Sequence, residues 1–118
     1  MLRISLLSLF LATGAFAHEA GIGPNGGMRV DAGPYRVELV PNGTRVDIHI
    51  TMDDDSAIAT ETMTGTALLV LDGKPVRTPL VPAAAGVLSG DTGVNVPEAV
   101  KGAVQLTDSE GKTVQAKF

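Results

Sequence analysis

The chain has no cysteine and no tryptophan, and only one tyrosine and three phenylalanines. Without cysteine there is no disulfide framework, no lipid anchor on a thiol and no thiolate metal site. So few aromatics leave no platform on which sugars or single-stranded bases could stack, which argues against a polysaccharide-oxidising copper enzyme and a nucleic-acid groove. Histidine occurs twice, at His18 and His49. Ser5, Ser8, Ser56, Ser89 and Ser109 therefore have no histidine credibly placed to activate them. Phosphate loops, nucleophile elbows and paired-acid motifs are also missing, so no enzyme is expected. No apolar run approaches the roughly 20 residues that span a bilayer. The formal net charge is −4, which disfavours nucleic acid and anionic lipid as partners and is compatible with cations.

What is present begins with an export signal. Residues 1–17, MLRISLLSLFLATGAFA, carry one positive charge at Arg3, an apolar stretch from Ile4 to Ala12, and a small-x-small cleavage site at Ala15-Phe16-Ala17. A signal helix removed after Ala17 makes the mature protein periplasmic, not inserted in the membrane, and places His18 first. Residues 18–27, HEAGIGPNGG, hold four glycines and a proline without periodicity and are expected as a flexible arm. Residues 28–118 then form one small domain, burying about 60 to 65% of the surface of its unfolded chain.

Within that domain Tyr35 to Met52 is the strongest pattern, two alternating runs flanking Asn42-Gly43. A two-residue loop at Asn42-Gly43 sets Tyr35 across from Ile50, Val37 from Ile48 and Leu39 from Val46, all on one apolar face. The other face carries Arg36, Glu38, Arg45, Asp47, His49 and Thr51. In this register Glu38 faces Asp47 and Arg36 faces His49, two like-charged pairs. A second hairpin is expected at Thr66–Leu71 and Lys74–Val81 around Asp72-Gly73. Its first strand should be central and deeply buried, and its second, with Pro75 and Pro79, should lie at an edge. A third joins Ala103–Thr107 to Thr113–Phe118, with Val104, Leu106, Val114, Ala116 and Phe118 inward. Short strands with regular turns predict an all-β fold, an antiparallel Ig-like β-sandwich of about seven strands.

The polar face supports two readings, a solvated charge mosaic or a cation site near Glu38, Asp47 and His49. The second gains from His18. A free N-terminal histidine offers its amine and ring Nδ1 to one ion, and a second imidazole completes three nitrogens suited to Cu(II). This arrangement resembles the histidine brace of the periplasmic copper carriers of copper-resistance operons, small β-sandwich proteins whose signal peptide ends at His and in which an Asp-x-His pair supplies further ligands. The resemblance implies His18 and His49 as copper ligands and Asp47 as an axial ligand, with Glu38 behind them.

A broader likeness covers most of the mature chain. Pro24-Asn25-Gly26-Gly27, Asp31-Ala32-Gly33-Pro34-Tyr35, Glu38-Leu39-Val40, the Leu-Asp-Gly-Lys turn and the closing Gly-Lys-Thr-Val-Gln-Ala-Lys-Phe look like small periplasmic proteins associated with heavy-metal efflux. That group implies an efflux or envelope partner, and a histidine is expected in it where Asn25 stands here. Asp53-Asp54-Asp55 lacks the glycine and distal glutamate of a calcium loop and reads as a solvated acidic turn. Met28, Met52 and Met63 read as core packing. The expectation is thus a non-enzymatic, exported copper-binding protein. The alternative is a β-sandwich interaction module of the envelope that needs no ion.

Overall fold

The computed structural model describes residues 18–118, and the expected signal segment 1–17 lies outside the described residues. Nine antiparallel strands follow one another: β1 (Gly21–Ile22), β2 (Met28–Ala32), β3 (Tyr35–Asn42), β4 (Arg45–Met52), β5 (Thr64–Leu71), β6 (Lys74–Ala84), β7 (Val87–Asp91), β8 (Lys101–Thr107) and β9 (Thr113–Lys117). No helix interrupts them among the described residues. Their order across the sheet is β1-β2-β3-β4-β7-β6-β5-β8-β9. The sheet curls into a half-barrel, bringing β2 near β9 at its far end.

The curl rests on β6. This strand pairs with β5 over its first seven residues and with β7 from Val81 onward, across a register shift between Pro82 and Ala84. Two halves that would otherwise be separate sheets are thereby one. Pro75 and Pro79 fall where β6 has β5 alone as a neighbour, so a missing N–H leaves no ladder bond unmade. The expected edge thus exists, but only along half of an otherwise interior strand.

The concave side holds the core. Val37 and Leu39 from β3, Val46, Ile48 and Ile50 from β4, Leu88 from β7, Leu69 and Leu71 from β5, and Val104 and Leu106 from β8 are buried. Each such side chain contributes about 1.5 to 3 kcal/mol relative to exposure. Val104, Leu106 and Ala116 of the third hairpin point inward as expected, with Val114 and Phe118 partly buried against them. β5 differs from expectation. Ala67, Leu69 and Leu71 are buried while Leu68 and Val70 are about half exposed, because this stretch of sheet has only one covered face.

The organising hairpin forms, but two residues out of the expected register. Tyr35 faces Met52, Val37 faces Ile50, Leu39 faces Ile48 and Asn42 faces Arg45, so the loop is Gly43-Thr44. Gly43 takes the one left-handed position, φ 63°, and a turn with glycine first needs no second residue there. A shift of two preserves which side chains face the core, so the apolar pattern is unchanged. The charged pairs do change: Glu38 now faces His49, and Arg36 faces Thr51.

Candidate functional site

The convex face of β2, β3 and β4 carries the polar chemistry in two rows. Arg29, Glu38 and His49 lie side by side across the three strands, and Asp31, Arg36 and Thr51 form the next row. Unlike charges therefore neighbour one another along and across strands, which is the favourable arrangement.

The glycine-rich segment 18–27 is not a loose arm. β1 pairs with the start of β2, and Gly23 to Gly27 make a tight turn in which Gly23 N donates to Gly27 O at 2.7 Å. That turn lies over Glu38. The Glu38 carboxylate accepts from Asn25 N at 3.0 Å, Asn25 Nδ2 at 3.0 Å and Gly27 N at 2.8 Å. Only 1% of Glu38 is exposed, so these three donors are what makes its burial as a carboxylate tolerable. Glycine is required here by space, since a Cβ on Gly27 would stand 2.1 Å from Leu39 O. Glu38 thus serves as the anchor of the N-terminal turn, and its oxygens are engaged.

Beside this anchor opens a cleft of about 210 Å³, walled by Asn25, Arg29, Glu38, His49 and Thr51, with Ala57, Ile58 and Gly86 on the far side. Gly86 is fixed there by Ile50 N, which donates to its carbonyl at 2.8 Å. His49 lines this cleft, and its ring makes no side-chain hydrogen bond among the described residues.

Asp47 sits elsewhere in function. It faces Ser89 of β7 and accepts from Ser89 Oγ at 2.7 Å and Asn42 Nδ2 at 3.3 Å, while Arg45 Nη2 donates to Ser89 Oγ at 3.0 Å. This chain of contacts ties β4 to β7. Arg29 and Arg36 both donate to Asp55 Oδ1, at 3.0 and 3.2 Å, in the loop after β4. Neither arginine is a free positive charge beside His49.

His18 lies outside the cleft, on the other side of β2. Its main-chain N donates to Asp31 Oδ2 at 2.7 Å, and its Nδ1 stands 3.2 Å from Asp31 Oδ1. With strands about 4.8 Å apart and residues about 3.4 Å along them, the register puts Asp31 on the order of 12 Å from His49. The structure therefore does not bring His18 to His49, and among the described residues no three His, Cys, Asp or Glu side chains gather as a metal site. Of the four expected site residues, His18, His49, Asp47 and Glu38, only Glu38 and His49 stand directly opposite one another, as a cross-strand pair. Asp31 and Asn25 are the polar neighbours that spacing alone did not assign, because β1 and the turn that bring them into play have no alternating pattern. Comparison with known proteins returns no matching family model, curated protein or solved structure.

Proposed function

We propose that this chain is an exported, non-enzymatic protein of the periplasm that binds copper as Cu(II) through its mature N-terminus and passes it to an efflux or envelope partner. The observation that supports this most is the presentation of His18. Its main-chain and ring nitrogens face the same carboxylate, and its side chain is 45% exposed. In a chain beginning at His18 the main-chain nitrogen is an amine, and amine plus Nδ1 close a six-membered chelate ring on a tetragonal ion. An Ig-like arrangement of the curled sheet belongs to the same reading. The test is Cu(II) titration of the chain starting at His18 beside the same chain acetylated at its amine. Acetylation is expected to weaken binding roughly 100-fold, about 2.7 kcal/mol. Equal affinity of the two forms would remove the N-terminus from the proposal.

A second reading, an interaction module that needs no ion, is favoured by Leu68, Val70 and Val81, which are 49, 48 and 59% exposed. Association with envelope fractions that persists in chelator and is lost in L68K would select it.

A further inference from the structure

The nitrogens of His18 meet a carboxylate instead of the second imidazole, and the distances fit an ion. Donors on adjacent corners of a tetragonal site, each about 2.0 Å from the metal, stand about 2.8 Å apart. The His18 N to Asp31 Oδ2 and His18 Nδ1 to Asp31 Oδ1 separations are 2.7 and 3.2 Å. An ion can replace the hydrogens these atoms now share with little movement of either residue.

Asp31 is also held for the purpose. It belongs to β2, is paired with Arg36 of β3, and its side chain is 27% exposed beside the half-exposed ring. Among the described residues the competing cation is Arg36, whose Nε lies 3.9 Å from Asp31 Oδ1. Arg36 keeps a second carboxylate through Nη1 to Asp55 at 3.2 Å, so an ion taking Asp31 leaves that guanidinium partnered. His49 stands a further two strands away and faces a different cleft.

We infer that Asp31, and not His49, completes the copper site at His18: the amine and Nδ1 as nitrogen donors and the two Asp31 carboxylate oxygens as oxygen donors. The inference rests on the proposed binding of Cu(II) by a chain that starts at His18. Copper enters and leaves as Cu(II), and protons carried by the amine and ring are released to solvent as it binds.

The experiment uses the chain starting at His18, loaded with one equivalent of Cu(II). Spin-echo electron paramagnetic resonance on the unaltered protein counts coordinated imidazoles. One is expected, and two would overturn the inference without recourse to any variant. In parallel, D31A is expected to weaken copper binding roughly tenfold or more and H49A to leave affinity and spectrum unchanged, tenfold being about 1.4 kcal/mol. Urea midpoints establish that D31A is folded. Two imidazoles with loss of binding in H49A would sink the Asp31 site while the N-terminal reading survives. Undiminished binding by the acetylated chain would instead sink that reading.

Discussion

Asn25 gives Glu38 both its main-chain and its side-chain N–H, at 3.0 Å each, and so closes the N-terminal turn over a carboxylate with 1% exposure. Replacing one oxygen by an amide turns an acceptor into a donor facing donors. E38Q is therefore expected to lose about 1.5 to 3 kcal/mol of stability, the worth of hydrogen bonds to a buried charge. Urea unfolding followed by far-ultraviolet circular dichroism checks this. A midpoint equal to wild type would show that the turn does not depend on the carboxylate.

Gly27 is the steric counterpart of that anchor. A Cβ there meets the carbonyl oxygen and carbon of Leu39, backbone atoms that cannot swing aside, whereas a Cβ on Gly21 meets nothing within 4 Å. G27A should lose on the order of 1 to 3 kcal/mol, as other overpacked sites do, and G21A should stay within about 0.5 kcal/mol of wild type. Equal effects of the two would mean that composition, not close approach, selects glycine in this segment.

These two residues also mark where the sequence stops being informative. The strands of the three hairpins follow from alternation and turn chemistry, and so does the inward set Val104, Leu106 and Ala116. Register is a different matter, because a two-residue slip keeps every apolar side chain inside. What separates the two registers of the β3–β4 hairpin is charge. The slip replaces a Glu38–Asp47 and an Arg36–His49 pairing with Glu38–His49 and Arg36–Thr51, and like-charged cross-strand pairs are unfavourable. That signal was in the sequence. The placement of His18 was not, since β1 is two residues long and is defined by its hydrogen bonds to β2. Nor was the one-sided burial of β5, which depends on the outer face of that stretch having no second layer.

Tyr35 reports on the junction of the two ends of the curled sheet. Burial, followed by the charges of Asp108 and Glu110, raises its phenol above the ordinary 10.0. The folded state holds this proton more tightly than the unfolded chain, so the associated stability is intact below pH 10 and is lost as pH rises toward the folded midpoint. Tyr35 is the only tyrosine and there is no tryptophan, so absorbance at alkaline pH titrates it alone. A midpoint above that of the urea-unfolded chain is expected, and E110Q should lower it. E110Q is the cleaner variant because Asp108 Oδ1 also accepts from Glu110 N and Lys112 N. A midpoint equal to that of the unfolded chain would place the ring in solvent.

The cleft beside Glu38 is one that His18 does not line. His49, Glu38 and Asn25 line it together, and Asn25 Nδ2 donates to Glu38 Oε1 at 3.0 Å. One imidazole beside an engaged carboxylate is a poor metal site, because three or four convergent donors are the usual minimum. N25H would set a second imidazole against Glu38 and beside His49, with one ring nitrogen able to keep the hydrogen bond that Asn25 Nδ2 now makes. In a chain acetylated at its amine, which removes the amine donor of His18, N25H is expected to bind Zn(II) or Cu(II). The unaltered acetylated chain should bind at least tenfold more weakly, a difference of about 1.4 kcal/mol. Adding H49A should abolish the gain. If N25H gains nothing, or keeps its gain without His49, the two side chains do not share the cleft as their common lining of it requires.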